Sequence, residues 1–416
     1  MTASTPGPAS GAGSARNDPA SRLVVTGGDV FDGTGAPPRR ADVAVQEGRI
    51  VAVGSGLDGD VAVDATGMTV LPGLIDCHVH VMISGVELMA HLERPFSYAF
   101  YAAIGNLAAT LDRGVTTVRD AGGADLGVKK AVEDGLVEGP RLRTAVSILG
   151  QTGGHTDGWH PSGIDVPLFV PHPGRPDPVV DGPDEMRRRV RQLIRAGADV
   201  IKICTSGGVV SPRDDPRHPQ FGPDELAVCT AEAAAAGIFV MAHAQGAAGI
   251  KNAVRAGVRS VEHGMYLDDE AIEMMLEAGT FLVPTLVAPH WVIEAADAGA
   301  AISEVVVAKA REVAQIHQES VSRAVAAGVP IAMGTDSGVG PHGQNLRELE
   351  LMRRAGMQPA AVLAAATSAA ARLIGVADEL GTVEPGNRAD LVLVGGDPYD
   401  FAALEANIRA VYKGLL

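Results

Sequence analysis

Four histidines and one aspartate follow short apolar runs at separate places along the chain. His78 and His80 form a His-x-His pair in LPGLIDCHVHV, whereas His243, His263 and Asp336 each follow a later apolar run. Alternate residues of a β-strand face the same side, so both imidazoles of the pair can approach one ion. A single histidine at a strand end is as often a structural residue, but these five residues together predict a metal site.

A lysine interrupts the apolar segment VIKIC. Burying a bare ammonium group is costly, so Lys202 either extends to solvent, forms an ion pair, or has reacted with carbon dioxide to give an anionic carbamate. The pattern of residues does not distinguish these states. Alternation along the strands also predicts that Cys204 faces the metal site, and that Cys77 and Glu262 face away from it.

Eight apolar runs of strand length alternate with longer Ala-rich segments of helical periodicity. Several helical segments, such as PDEMRRRVRQLIRAGA, begin with Pro-Asp and end near a glycine, the usual punctuation of a helix. Repeated strand–helix units predict an α/β fold with a parallel sheet, and eight units favour a closed (β/α)8 TIM-like barrel over an open sheet, since no GxGxxG motif follows the first strand. Barrel enzymes build their sites at the carboxyl ends of such strands. The predicted strands are Val70–His80, Val115–Asp120, Arg143–Leu149, Val200–Cys204, Ile238–His243, Ser260–His263, Phe281–Pro284 and Pro330–Asp336.

Short alternating runs separated by Gly and Asp begin at Leu23, and a similar pattern returns near the other end in GTVEPGNRADLVLVGGDP. This pattern is typical of hairpin-connected strands. We predict a small β-sandwich domain built from residues 22–70 and 380–416, beside a barrel of residues 71–379. Residues 1–21 are rich in Ser, Thr, Pro, Gly and Ala and contain no apolar signal-peptide core, so they predict a disordered leader.

The composition narrows the class of protein. Apolar residues make up 46% of the 416 residues, enough for a large core without disulfides. The net charge of −16 argues against nucleic acid or an anionic membrane as a partner, because both require basic surfaces. No run approaches the roughly 18 apolar residues of a membrane span. Three cysteines without paired spacing argue against a disulfide framework and predict a cytoplasmic protein.

The chain resembles the amidohydrolase superfamily from about residue 23 onward. The motifs of the resemblance are VLPGLIDCHVHV, DVIKICTSGGVVSPRDDP, FVMAHAQG, SVEHGMYLDD, GTDSG and GTVEPGNRADLVLV. Within that superfamily it most resembles the imidazolonepropionase-like and prolidase-like group, which includes binuclear zinc carboxypeptidases and ochratoxin-hydrolysing amidases. The resemblance implies two divalent metal ions, with zinc as the first choice, and members of the group are often homo-oligomers.

The same resemblance implies a role for each site residue. The first metal would be held by His78, His80 and Asp336, the second by His243 and His263. Lys202, carboxylated on its side-chain nitrogen, would bridge the two ions.

Residues outside the ligand set are candidates for substrate contacts. His155, in GQTGGHTDGWH, corresponds to a GGHGD element of the group and would polarise the substrate carbonyl. Arg213, Arg217 and His218, in the loop after the fourth predicted strand, are candidates for binding a substrate carboxylate, although they are equally consistent with solvated loop charges. Gln245 stands where dipeptidases of the group have a tyrosine, which bears on dipeptide specificity.

The predicted reaction is hydrolysis of an amide or peptide bond in a small molecule, releasing a C-terminal amino acid from a dipeptide or N-acyl amino acid. A hydroxide between the two metals would attack the carbonyl, and Asp336 would transfer a proton to the leaving amine. The alternatives are hydrolysis of a cyclic amide or lactone, deamination of a heterocycle, or a catalytically silent barrel that only binds. Lys202 argues against a mononuclear deaminase, and the complete ligand set argues against a silent protein.

Overall fold

The computed structural model of the protein describes residues 21–87 and 93–414, so the predicted leader lies outside the described residues except for Ser21. The described residues form fifteen β-strands: β1 (Leu23–Val30), β2 (Arg39–Gln46), β3 (Arg49–Gly54), β4 (Val61–Asp64), β5 (Met68–Pro72), β6 (Leu74–Val79), β7 (Val115–Asp120), β8 (Arg141–Thr144), β9 (Ile148–Leu149), β10 (Val200–Cys204), β11 (Phe239–Gly246), β12 (Ser260–Tyr266), β13 (Phe281–Val283), β14 (Leu391–Gly395) and β15 (Ile408–Tyr412). They also form twelve helices: α1 (Tyr98–Leu111), α2 (Leu126–Glu133), α3 (Pro183–Arg195), α4 (Pro223–Ala235), α5 (Ala247–Arg255), α6 (Asp269–Ala278), α7 (Val287–Asp297), α8 (Glu304–Ala327), α9 (Arg347–Arg354), α10 (Pro359–Ala365), α11 (Ser368–Ile374) and α12 (Leu404–Asn407).

Strands from both ends of the described chain share one seven-stranded sheet. Its order is β15-β14-β5-β1-β2-β3, and β4 pairs with β1. The C-terminal strand β14 joins the N-terminal strands by antiparallel pairing with β5. Buried side chains of this sheet, among them Val43, Val70 and Leu391, pack into a core of their own.

The remaining strands are parallel, and a helix separates each consecutive pair except β8 and β9. Strands β6, β7 and β8 form one parallel sheet, and β9 to β13 form another. The predicted eighth strand forms only isolated bridges to its neighbours. Its backbone nevertheless reaches both sheets, because Ala332 N donates to Leu282 O at 3.1 Å and Asp336 N donates to His78 O at 2.7 Å. The fold is therefore α/β, as predicted.

Two predicted strands are each divided in the structure. The run Val70–His80 forms β5 and β6 on either side of Gly73, where a side chain would come within 2.2 Å of Thr116 Oγ1. The run Arg143–Leu149 forms β8 and β9, because Val146 adopts a φ of 66° that interrupts extended backbone. The first division separates the terminal sheet from the parallel strands, and the second turns the chain beside the site.

The helices begin and end largely where the Asp, Pro and Gly residues at their ends predict. At the start of α6 the Asp268 side chain accepts a hydrogen bond from Ala271 N at 2.8 Å, and the helix ends at Gly279 with a φ of 65°. Helices α3 and α4 both begin with proline in the first turn. None of the described helices combines the length and apolar character needed to cross a bilayer.

Candidate metal centre and substrate cavity

Three of the predicted ligands meet where β6 ends beside the segment that contains Asp336. His78 Nε2 lies 3.3 Å from Asp336 Oδ1, and His80 Nε2 lies 3.2 Å from the same oxygen. The two histidines are buried. Because they are separated by one strand residue, they approach the carboxylate from the same side, as the His-x-His spacing predicted.

The two later histidines complete a cluster of imidazole rings. The His263 ring lies 5.0 Å from the His78 ring and 4.7 Å from the His243 ring. His78, His263 and Asp336 offer ligand atoms that all lie within 4.8 Å of one another. The cluster therefore combines imidazole nitrogens and carboxylate oxygen, the donor types that bind zinc and similar divalent ions.

Hydrogen bonds hold the rings and leave one nitrogen of each for a ligand. The Nδ1 atom lies 2.8 Å from Glu262 Oε2 in His78 and 2.8 Å from Gly122 O in His80. His243 is held through the opposite nitrogen, with Nε2 3.1 Å from Gly207 O. Because a carbonyl or carboxylate oxygen accepts, these nitrogens donate, and the other nitrogen of each ring is the one left to bind a ligand.

Two predicted ligands have left-handed backbone, which side chains other than glycine rarely adopt. The φ angle is 75° at His263 and 60° at Asp336. His317 on α8 supports the first of these residues, because its Nε2 donates to His263 O at 2.9 Å. Such strain persists where surrounding contacts hold it, and it is common at functional sites.

Helix α8 contacts the turn after His263 at two further points. Ser320 Oγ donates to Gly264 O at 2.8 Å and accepts from Leu267 N at 3.0 Å. The guanidinium group of Arg323 donates to Leu267 O. The backbone that orients His263 is therefore held by side chains of a single helix.

Strand alternation predicted that Glu262 faces away from the His/Asp cluster, and this prediction is wrong. Glu262 is fully buried, accepts from His78 Nδ1 at 2.8 Å and pairs with Arg119 Nη2 at 2.9 Å. The left-handed residue that follows it breaks the alternation, so both side chains lie on the site face. Burial would raise the pKa of Glu262, but Arg119 and His78 lower it to about 2. The sequence signal for the Arg119–Glu262 pair is that each residue places a charge inside an apolar strand, β7 and β12 respectively.

Lys202 lies inside the same cluster. Its Nζ is 3.3 Å from His78 Nε2, and the residue is only 2% exposed. Among the described residues no carboxylate forms an ion pair with it, and burial lowers the pKa of its amine. Cys204 lines the cavity beside it, whereas Cys77 packs among Val283 and Ala370 on the other side, as alternation predicted.

A cavity of about 270 Å³ opens onto the cluster. His155, Arg213 and Gln245 contribute to its wall, together with all six predicted ligands. Most of the wall is apolar: Met82, Ile83, Phe96, Phe100, Phe169, Val209, Met265 and Val292. The cavity can therefore receive a molecule with a large apolar group next to a polar group at the metal site.

The loop cations differ in where they lie. Arg213 lines the cavity, and its Nη2 donates to Asp157 O at 2.6 Å. Arg217 lies outside the cavity wall, where it pairs with Glu312 and stacks on the Tyr266 ring. His218 is exposed and also does not line the cavity. Of the three predicted carboxylate contacts, the structure brings only Arg213 to the cavity.

Gln245 and His155 lie on the wall near the cluster. Gln245 is 3% exposed, and its Oε1 has no hydrogen-bond partner among the described residues. His155 stacks on His243 with ring centres 4.4 Å apart, and its Nδ1 donates to Asp214 Oδ2 at 2.9 Å. Both side chains thus have a polar group available at the cavity.

Comparisons with known proteins identify the family of the chain. The profile of the amidohydrolase family matches residues 69–414. The chain is 35% identical over 415 residues to ochratoxinase from Aspergillus niger, covering 93% of this chain and 84% of that enzyme. It is similar to the structure of a Xaa-Pro dipeptidase with bound methionine in the active site, with a TM-score of 0.86 and 33% identity over 95% of this chain and 98% of the other. A prolidase complexed with N-methylphosphonate-L-proline has a TM-score of 0.85 and 36% identity, covering 94% and 98% of the two chains.

The α/β fold is shared with these relatives, and the buried His/Asp cluster offers the donor types of a metal centre. The chain belongs to the amidohydrolase family, as its motifs predicted, and it is a hydrolase that acts on amide bonds.

Proposed function

We propose that this protein is a metal-dependent amidohydrolase that releases a C-terminal amino acid from a dipeptide or an N-acyl amino acid. The proposal rests on one observation above all: the cluster of His78, His263 and Asp336 lies at the end of a largely apolar cavity. The names of the relatives, an ochratoxinase and a Xaa-Pro dipeptidase, support the same class of bond.

We also propose a scaffold for this activity. The eight parallel segments would form one closed (β/α)8 barrel, supported by the backbone contacts of segment 330–337 to both parallel sheets. Residues 71–379 would form that barrel. Residues 22–70 and 380–416 would form a β-sandwich domain, supported by the sheet that strands from both regions share.

Two divalent ions would be held by the residues of the cluster, and zinc suits the imidazole and carboxylate donors. His78, His80 and Asp336 would hold one ion, and His243 and His263 the other. Lys202 would bridge them as a carbamate. This last assignment is supported by the burial of its Nζ without a carboxylate partner, since a carbamate replaces an uncompensated cation with an anionic ligand.

Bound divalent ions would supply an activated water and polarise the carbonyl of the substrate. The protein's own residues would do the rest. Asp336 would accept a proton and deliver it to the leaving amine; burial would raise its pKa, but His78 and His80 hold that pKa well below the usual range. As an imidazolium paired with Asp214, His155 would donate from Nε2 to the carbonyl oxygen, and Gln245 would bind a polar group of the substrate. Arg213 would attract the terminal carboxylate.

The test is amine release from a panel of dipeptides and N-acyl amino acids, among them N-benzoyl-L-phenylalanine, followed with a fluorogenic amine reagent. We expect release of the C-terminal amino acid by the zinc-loaded protein and preference for substrates with large apolar acyl groups. Asp336→Asn serves as the inactive control. Absence of release across the panel would contradict the proposed function.

A further inference from the structure

A lysine far from the cluster in sequence is bound by three carbonyl groups of one loop. Lys309 Nζ donates to Gly208 O at 3.1 Å, to Ser211 O at 2.8 Å and to Asp214 O. An ammonium group has three N–H donors, so these three carbonyls satisfy it completely. The side chain is only 17% exposed, and its helix α8 lies against the loop after β10.

The same ammonium group also compensates a buried carboxylate. Asp214 is 6% exposed at its side chain, and its Oδ1 lies 3.6 Å from Lys309 Nζ. That oxygen has no hydrogen-bond partner among the described residues. Burial would raise the pKa of Asp214, but His155 and Lys309 bring it below its ordinary value. Without Lys309, the carboxylate would keep only His155 as a partner of opposite charge, which is unfavourable for a buried group.

The other oxygen of Asp214 orients the cavity histidine. Asp214 Oδ2 accepts from His155 Nδ1 at 2.9 Å and from Gly208 N at 3.1 Å. Because Nδ1 is the donor, Nε2 remains for the cavity that His155 lines. Gly208 lies so close to the ring that a side chain there would come within 2.2 Å of His155 Cε1. The path of the loop thus decides where this imidazole can stand.

We propose that Lys309 is a positioning residue for the reaction: it holds the loop 208–214 and the Asp214 carboxylate so that His155 presents Nε2 to the substrate. The inference rests on the proposed function, because His155 acts on the substrate carbonyl only in that reaction. Lys309 itself lies outside the cavity wall and contacts no predicted metal ligand in the described chain.

The first experiment compares Lys309→Met with Arg311→Met, both on α8, in the zinc-loaded enzyme. Arg311 is 57% exposed and pairs with Asp297, so its variant controls for changes in the helix itself. With N-benzoyl-L-phenylalanine as the probe, Lys309→Met should lower kcat about 10- to 100-fold, since small displacements of a catalytic group have effects of this size. KM should change less than about threefold, and metal content should equal that of the wild type.

The second experiment asks whether Lys309 acts through His155. Lys309→Met added to His155→Gln should reduce kcat by less than about twofold further, because residues in one linked unit are not additive. Asp214→Asn should lower kcat as Lys309→Met does, and the two should likewise not multiply. Lys309→Arg should restore part of the rate, since it keeps the charge but its planar group cannot match three converging carbonyls. Independent, multiplicative losses would overturn the proposal.

A third measurement does not depend on activity. Hydrogen exchange of the amides in residues 208–214 should be faster in Lys309→Met than in the wild type, and unchanged in Arg311→Met. If the wild type releases no amine from any probe, the proposed function fails while this measurement still decides whether Lys309 holds the loop. Unchanged exchange in a folded Lys309→Met variant would overturn the inference. If that variant does not fold, the same comparison is made with Lys309→Arg, for which unchanged exchange together with wild-type kcat would overturn it.

Discussion

The ligand histidines and the cavity histidine are held in different ways. His78 and His80 lie at the C-terminal end of β6. The His78 ring is held by Glu262 of β12, in the other parallel sheet, and the His80 ring by Gly122 in the turn after β7. His155 lies in a loop, and its partner Asp214 is paired with Lys309 on α8, a helix that is distant only in sequence. Strand ends therefore position the proposed metal ligands, whereas the proposed substrate contact His155 is positioned by loops that contact α8.

The ligand residues positioned by strand ends form the strand-held group: His78, His80, Lys202, His243, His263 and Asp336. The largest predicted loss of activity is at Lys202 within this group. Lys202→Ala should lose both bound metal and turnover, because the proposed bridging anion is removed. Metal content by mass spectrometry and amine release would be measured together. Lys130→Ala, a change at an exposed lysine paired with Glu133, is the matched control. Two tightly bound metals in Lys202→Ala would refute the bridging role.

Asp336→Asn should separate metal binding from catalysis. The amide keeps an oxygen ligand but cannot accept the proton, so kcat should fall about 10²- to 10⁴-fold while much of the metal remains. Asp297→Asn, at an exposed carboxylate, controls for the loss of charge. Normal turnover in Asp336→Asn would exclude the proton transfer assigned to this residue.

Glu262→Gln should weaken the strand-held group without touching substrate. The variant leaves the buried Arg119 charge without its partner, so we expect destabilisation by about 3–5 kcal/mol in urea unfolding. Metal affinity should fall about 10- to 100-fold, because the group that orients His78 is altered. Glu405→Gln, at an exposed pair with Arg113, should change stability little. Equal stability of the two variants would contradict this account.

The smallest effect belongs to the loop cations. Arg213→Ala should raise KM for N-acyl amino acids about 3- to 10-fold, since a charged contact to the carboxylate is lost at the cavity. Arg217→Ala should change KM less than about twofold, because its guanidinium group pairs with Glu312 outside the cavity. Steady-state kinetics would give the KM of each variant. A larger rise in KM for Arg217→Ala than for Arg213→Ala would contradict the assignment of Arg213 to the carboxylate.

The strand-held group was largely predictable from the sequence. The His-x-His spacing and the polar residues after apolar runs predict which side chains meet in the cluster, because strand alternation and strand ends are local properties of the chain. Glu262 was assigned to the opposite face because the prediction assumed regular alternation. The left-handed backbone at His263 depends on contacts from α8, which no local pattern reveals.

The residues of the loops around the cavity were predictable only in part. The motif around His155 identified that residue through its resemblance to a family element, but its partners Asp214 and Lys309 are separated from each other by 95 positions. Arg213 and Arg217 are close in sequence and have the same charge, yet only one lines the cavity. The path of an irregular loop decides between them, and residue types alone do not determine that path.

Helix α8 also limits how the protein can tolerate insertions. Lys309 holds the loop after β10, while His317, Ser320 and Arg323 hold the turn after β12. One residue inserted between Lys309 and His317 would rotate the following side chains by about 100° around the helix axis. One group of contacts would then be lost whichever way the helix settled. The spacing between Lys309 and His317 along α8 therefore has to be kept for both loops to be held at the same time.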